Sequence, residues 1–306
     1  MVSKIIRIGS RASKLALWQS EWVQTQLKER GVASEIQKII TKGDKILDVP
    51  LAKIGGKGLF VKEIEEALLR EEIDIAVHSM KDMPAEMPEG LQLGPIPLRE
   101  DPRDALISHK GKALADLPQG ALVGTSSLRR QAQLLALRPD LEIVSLRGNL
   151  DTRLRKVKAG EFEAILLAAA GLHRLGWASE ITEYLAPDTF VPAIAQGALA
   201  IQFRQLDIET LDQILFLNHS ETGVTIKAER ALLARLEGGC QVPIAGHATL
   251  KEAEICLTGR VLSLDGKTVI EETQTASRLE AESLGVAVAE ALLAKGADVI
   301  LKALYQ

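Results

Sequence analysis

Strand-type and helix-type segments alternate along the first two-thirds of the chain, and two proline-marked stretches interrupt the rhythm. Lys4–Ile8 reads as a short apolar strand. Ser13 can cap a helix from about Lys14 to Arg30, with Leu15, Trp18 and Trp22 at helical spacing and Gly31 to stop it. A second strand is expected over Ile36–Thr41, then a lysine- and glycine-rich loop from Lys42 to Gly58. A helix around Leu59–Glu71 and a buried-type strand Ile73–Val77 come next. Strand–helix–strand order predicts a parallel sheet covered by helices on both faces.

Prolines at 95, 97 and 102 mark the first interruption, which reads as a crossing between domains. The alternation then restarts. Strands are expected at Ala121–Gly124, Leu141–Leu146 and Ala164–Ala168, with helices from about Ser127 and Asn149 between them. A second crossing near Phe190–Gly197 leads into a strand-like Ala198–Phe203, as if the chain returned to the domain it had left. After Thr225 a long helix is expected to Leu236. The turn Asp265-Gly266 then joins Glu254–Leu264 to Lys267–Thr275 in a β-hairpin, and helices at about Leu279–Lys295 and Ala297–Leu304 close the chain. The expected fold is therefore α/β: residues 1–97 with 198–217 as a discontinuous first domain, 98–197 as a second, and 218–306 as a small α+β third. A length of 306 residues suits two or three domains.

Composition excludes several functions. A net charge of −4 and 3% aromatic residues argue against a nucleic-acid binder. The amphipathic start, Met1 to Arg7, has neither the apolar run of a secretion signal nor the length to span a bilayer. Two cysteines, Cys240 and Cys256, are too few for a disulfide framework and lack metal-ligand spacing, so a reducing cytoplasmic setting and no metal are expected.

Cys240 lies in Gly238-Gly239-Cys240-Gln241-Val242-Pro243, an irregular loop where ligand or backbone can approach closely. Cys256, in the alternating Glu254-Ile255-Cys256-Leu257, reads as a buried small hydrophobe. Asp82 falls just past a buried strand, where parallel sheets bind ligands, although an Asp near a proline also suits a plain turn. Arg129-Arg130, Arg147, Arg153 and Arg155 cluster at strand-to-helix turns. Arg11, Lys53 and Lys57 come from loops of the first domain. Arginines so placed suit bidentate capture of carboxylate or phosphate. Gly9-Ser10-Arg11-Ala12-Ser13 and Gly124-Thr125-Ser126-Ser127 echo one another as hydroxyl-rich helix starts, which either cap their helices or present free N–H groups to an anion.

These segments closely resemble the porphobilinogen deaminase (hydroxymethylbilane synthase) family over nearly the whole chain. The resemblance is carried by Gly9-Ser10-Arg11 with Ser13, Gly55-Gly56-Lys57-Gly58-Leu59-Phe60, Ala76-Val77-His78-Ser79-Met80-Lys81-Asp82, Gly124-Thr125-Ser126-Ser127-Leu128-Arg129-Arg130, Leu146-Arg147-Gly148-Asn149 with Thr152-Arg153, and Glu229-Arg230 leading to Gly238-Gly239-Cys240-Gln241-Val242-Pro243. It implies two solute-binding-protein-like domains around a cleft, a third small domain, and a dipyrromethane cofactor held by a thioether to Cys240. It further implies that four porphobilinogen molecules are joined head to tail, each losing ammonia, before water releases linear hydroxymethylbilane.

By the same resemblance Asp82 is the catalytic carboxylate, stabilising the cation left as ammonia departs. Lys81, Asp82, Thr125, Ser127, Arg129, Arg130 and Arg147 hold the cofactor, and Arg11, Ser13, Arg147 and Arg153 hold the substrate. Each pyrrole brings an acetate and a propionate, which would explain arginine-rich loops in a net-negative chain. A monomer with no membrane or nucleic-acid partner is expected. The rival readings are a non-enzymatic two-domain binder of a small carboxylate, which has no reason to carry the Gly-Gly-Cys segment, and a cysteine acyltransferase, for which no histidine signature accompanies Cys240. The purified protein should weigh more than its sequence by two linked pyrroles. Peptide mapping should place the addition on Cys240 and leave Cys256 unmodified; an unmodified yet active protein would refute the assignment.

Overall fold

The computed structural model describes residues 4–41, 43, 61–236 and 242–304, and three sheets organise them. In the first, β1 (Ile6–Ser10), β2 (Ser34–Lys38) and β3 (Ile75–Ser79) run parallel. The short β4 (Leu91–Leu93) completes this sheet only through a strand from much later in the chain, Leu199–Arg204, which lies antiparallel between β3 and β4. The second sheet is contiguous in sequence: β5 (Asp104–Ser108), β6 (Leu122–Gly124), β7 (Glu142–Val144), β8 (Ala164–Ala168) and β9 (Glu183–Leu185). With the returning strand numbered β10, the orders are β2-β1-β3-β10-β4 and β7-β6-β8-β5-β9. The two patterns correspond strand for strand, so the local echo read from the sequence extends to the whole topology.

The expected parallel sheet holds for β1–β3 and for β6–β8, and fails elsewhere. β10 is antiparallel to β3, and β5 is antiparallel to β8 and β9. These strands are reached through the proline crossings rather than through a helical crossover, so no crossover fixes their direction. Several strands are also displaced: β2 begins two residues before the expected Ile36 and β3 two after the expected Ile73.

The helices obey their caps. In α1 (Lys14–Glu29) the Ser13 hydroxyl accepts from the Ala16 N–H at 3.3 Å, and Gly31 ends the turn at φ +75°. Its buried residues are Gln19, Ser20, Val23 and Leu27, whereas Leu15 and Trp18 are half-buried. Leu15 and Trp18, two of the residues at helical spacing, lie off this buried stripe. Instead they face α5 (Ala169–Arg174), with Leu15 beside Gly171 and the Arg174 guanidinium 6.0 Å from the Trp18 ring. Also described are α2 (Lys62–Leu69), α3 (Leu128–Leu137), α4 (Leu150–Lys158) and α6 (Ile208–Ile214).

The third sheet is antiparallel, β11 (Ile244–Lys251), β12 (Glu254–Leu262) and β13 (Val269–Ser277), and packs against α7 (Ser220–Arg235) and α8 (Ala281–Ala294), with α9 (Ala297–Ala303) after them. α7 starts five residues before the expected Thr225, where His219 Nδ1 accepts from the Thr222 N–H. Gly223 and the β-branched threonines in its first half hid that start. Cys256 is half-buried rather than buried, because strand alternation turns its neighbours Ile255 and Leu257 into the core.

One carboxylate joins these parts. Glu229 of α7 is fully buried. It accepts from both terminal nitrogens of Arg99 in the first crossing (2.6 and 3.1 Å), from the Ala195 N–H in the second (2.6 Å), and from the Ala248 N–H in β11 (2.8 Å). The crossings touch each other too: a Cβ on Gly197 (φ +91°) would strike the Glu100 carbonyl oxygen. Removing one partner of a buried pair leaves the other charge uncompensated, typically at a cost of about 3–5 kcal/mol. Glu229→Ala should therefore lose stability on that scale in urea unfolding; a loss below about 1 kcal/mol would refute this role.

Candidate active site

β3 ends at Ser79 and passes into a single 3₁₀ turn, Met80–Asp82. Met80 and Met83 are each 1% exposed and packed into the core beneath α7, while Asp82 between them is exposed. Anchors on both sides thus leave the carboxylate no place but the opening beyond the strand ends. Arg230 of α7 pins the adjoining loop, donating from one terminal nitrogen to the Pro84 and Ala85 carbonyls, both at 2.9 Å. Asp82 lines a cleft of about 80 Å³ together with Arg11, Ser13, Gln19, His78 and Ser79. Gln19 fixes one wall by donating to Ser79 Oγ at 3.1 Å. Burial pushes His78 down to about 4, so its imidazole is neutral at pH 7, and its Nε2 is buried without a hydrogen-bond partner.

Elements of the second sheet supply cations. The Ser127 hydroxyl caps α3 by accepting from the Arg130 N–H at 3.4 Å, which places Arg129 and Arg130 on the first turn. Both guanidiniums turn inward to Asp104, the fully buried first residue of β5. Arg129 approaches it at 2.7 and 3.2 Å, and Arg130 Nε at 2.8 Å. Arg129 also donates to the Val191 carbonyl and Arg130 to that of Leu166, both at 2.9 Å. Desolvation alone would raise the Asp104 carboxyl, but Arg129, Arg130 and Lys81 hold it well below the usual carboxylate range. Burial lowers the Arg130 guanidinium. Lys81 joins the cluster through Gln196, whose Oε1 accepts from Nζ at 3.3 Å while its Nε2 reaches the Pro102 carbonyl and Asp104.

Arg147 stands before Gly148, whose φ of +113° makes the turn into α4. Arg153 donates Nε to the Gly148 carbonyl at 2.8 Å, and burial with repulsion from Arg130 and Arg147 brings it down to about 10. Thr125, also buried, accepts from the Ser127 N–H at 3.2 Å.

The sequence-predicted residues therefore fall into two groups. Arg11, Ser13 and Asp82 share the cleft. Lys81, Thr125, Ser127, Arg129, Arg130, Arg147 and Arg153 form the cationic side, with Arg129 and Arg130 holding partners inside the protein. Arg155 is exposed on α4. Cys240, with Gly238 and Gly239, and the loop residues Lys53 and Lys57 lie outside the described residues. Sequence reading missed Asp104, Gln196, His78 and Arg174. Asp104 and Gln196 sit at the two crossings, the one signal that could have drawn attention to them. Arg174 donates to the Gly197 carbonyl at 2.7 Å, and burial lowers it to about 10.

Comparison with known proteins bears directly on this arrangement. Residues 6–212 match the family model "Porphobilinogen deaminase, dipyromethane cofactor binding domain", and residues 224–294 match the C-terminal domain model of the same family. The chain belongs to the porphobilinogen deaminase family. Curated relatives with that name include one from Syntrophotalea carbinolica, 58% identical over 99% of this chain and 97% of its own length. Another, from Geobacter metallireducens, is 58% identical over 100% of this chain and 96% of its own. A periplasmic substrate-binding protein of an ABC transporter from Coxiella burnetii aligns over 74% of this chain and 97% of its own at 15% identity, with a TM-score of 0.43. That likeness is too distant to bear on function.

Porphobilinogen deaminases carry a dipyrromethane cofactor, and the described residues fit such a group. Lys81, Arg129, Arg130, Arg147 and Arg153 gather here; Asp82 and Asp104 act on Lys81, Asp104 pairs with Arg129 and Arg130, and Arg153 feels repulsion from Arg130 and Arg147. A ligand bearing several carboxylates offsets that excess. Lys81 gives a pH test. Desolvation and then Arg130 push it from 10.5 down to about 8, so it loses its charge as pH rises through about 8. The unfolded chain keeps its proton up to 10.5, so this group adds stability as pH rises from 8 to 10.5 and cannot cause unfolding there. Uptake of the dipyrromethane cofactor by the apoenzyme, read from intact mass, should weaken above pH 8, and Lys81→Arg, which stays charged, should flatten that limb. An unchanged limb in the Arg variant would exclude Lys81 from ligand capture.

Proposed function

We propose that this enzyme of the porphobilinogen deaminase family assembles linear hydroxymethylbilane from four porphobilinogen molecules at the cleft between the first two sheets. The observation that carries the reading is the position of Asp82, exposed at a cleft with Arg11 and Ser13 and adjacent to Lys81, which Gln196 ties to the Asp104–Arg129–Arg130 cluster. Dipyrromethane, when bound, supplies the pyrrole carbon on which the chain grows, and Cys240 is the residue proposed to hold it.

Asp82 is the catalytic group. With substrate and cofactor bound, its carboxylate would stabilise the positive charge that appears on substrate as ammonia leaves. Arg11 and Ser13 at the start of α1 take a substrate carboxylate, with Arg147 and Arg153 across the cleft. Lys81, Thr125, Ser127, Arg129, Arg130 and Arg147 hold the cofactor's acetate and propionate groups. His78, neutral at pH 7, adds polarity to the cleft without adding charge.

The reading includes the division into residues 1–97 with 198–217, 98–197 and 218–306, supported by the three separate sheets. It also includes a monomer working in the cytoplasm. Among the described residues no helix is long and apolar enough to cross a membrane.

Asp82→Asn keeps size and one acceptor oxygen but removes the charge. An interaction made mainly in the transition state should lower turnover far more than capture. Single-turnover ammonia release should fall by about 100- to 1,000-fold, the scale seen when one transition-state stabiliser is lost, while the melting curve stays near wild type. Asp82→Glu should retain part of the activity. Normal release by the folded Asn variant would remove Asp82 from the mechanism.

A further inference from the structure

The third sheet does more than sit beside the cleft: the tip of its β12–β13 hairpin is seated on α3, the helix that carries Arg129 and Arg130. Gly266 at the tip has φ +72°, and a Cβ there would collide with the Ala136 backbone nitrogen and come within 2.6 Å of the Leu135 carbonyl carbon. Gln131 of α3 donates to the Leu264 carbonyl at 3.4 Å. The C-terminal end of α3 is thus pressed by the hairpin, while its N-terminal end is tied to Asp104.

Between these ends runs a continuous chain of hydrogen bonds. Arg260 of β12 is fixed by its cross-strand partner Glu271, with Nε at 2.5 Å from the carboxylate. Its Nη1 donates to Gln133 Oε1 at 3.1 Å and to the Thr189 carbonyl at 2.9 Å, and its Nη2 donates to the Asp188 carbonyl at 3.3 Å. Gln133, 1% exposed, then clasps Val191 from both sides, accepting from its N–H at 2.8 Å and donating to its carbonyl at 2.9 Å. That same carbonyl receives Arg129 Nη1. Arg129 in turn shares Asp104 with Arg130.

We propose that Arg260 is a positioning residue for ligand carboxylates: acting through Gln133 and the Val191 carbonyl, it fixes the orientation of Arg129 and with it the cationic wall of the cleft. The planar fork matters. One nitrogen bridges Gln133 and Thr189 while the other two engage Asp188 and Glu271, an arrangement an ammonium cannot reproduce. Loss of the fork loosens Gln133, and the Val191 carbonyl is no longer held at the distance that shares Arg129 between it and Asp104. The inference rests on the reading that the cationic wall captures carboxylates.

The test uses the holoenzyme, with KM and kcat for porphobilinogen and a melting curve for each variant. Arg260→Met keeps the apolar stem and removes the fork; KM should rise about five- to ten-fold, the scale of a residue coupled to a site it does not touch, with kcat within about two-fold. Arg260→Lys should recover only part of the loss. In a Gln133→Leu background Arg260→Met should add almost nothing, because the relay is already cut. Lys302→Met, which removes a surface ion pair with Asp298, should leave KM unchanged. An equal rise in both backgrounds would overturn the relay. So would wild-type KM in Arg260→Met while Arg147→Ala raises it, and that outcome leaves the cationic wall intact as a reading. If neither variant changes KM, the wall itself is misassigned and the relay falls with it. Should Arg260→Met melt below the assay temperature, Arg260→Lys decides, and wild-type KM in that variant overturns the proposal.

Discussion

The buried Glu229 carboxylate is the constraint on which the arrangement depends. Both passages of chain between the first two sheets, and the first strand of the third, direct donors at its two oxygens. Four donors on one carboxylate in a dry interior offset the desolvation that would make a lone charge untenable. The next residue, Arg230, reaches the opposite way to the Pro84 and Ala85 carbonyls. Two successive positions of α7 therefore grip the crossings and the loop carrying Asp82, and that helix ends at Arg235, five residues before Cys240.

A second buried carboxylate, Asp104, works differently. It satisfies part of two guanidiniums and leaves the site with more cations than anions. A surface cluster of arginines would be solvated and would discriminate weakly among anions. Here the cations are already desolvated and oriented, so a carboxylate entering the cleft meets donors that need little reorganisation. This explains how a chain of net charge −4 can hold a polyanion: the field is local, and its direction is fixed by hydrogen bonds within the protein.

Much of this was legible in the residues. Ser13 and Ser127 announced their helices because capping is a local interaction, and Asp82 was placed past a strand because an apolar run ended just before it. The inward turn of Arg129 and Arg130 was not legible, since their partner Asp104 lies 25 and 26 residues away and no spacing rule reports it. Strand direction was misjudged where proline crossings replaced helical ones, and β11 was missed because its apolar alternation is interrupted by Gly246 and His247. The spacing of Leu15, Trp18 and Trp22 marked the helix without saying what covers that face. The porphobilinogen deaminase motifs told more about chemistry than about packing.

The return of β10 to the first sheet carries a consequence for synthesis on the ribosome. Residues 104–185 contain every strand of the second sheet, so that sheet can close as soon as this stretch emerges. The first sheet cannot, because β3 keeps an unpaired edge, and β4 has no neighbour, until residues 199–204 have been made. From residue 80 to residue 198 of elongation the β3 edge, with Met80 and Met83 just beyond it, remains open to other chains. The sheet whose strands appear first is thus completed after the second, and the nascent chain passes through a stage in which residues 104–185 can be folded while the earlier residues wait.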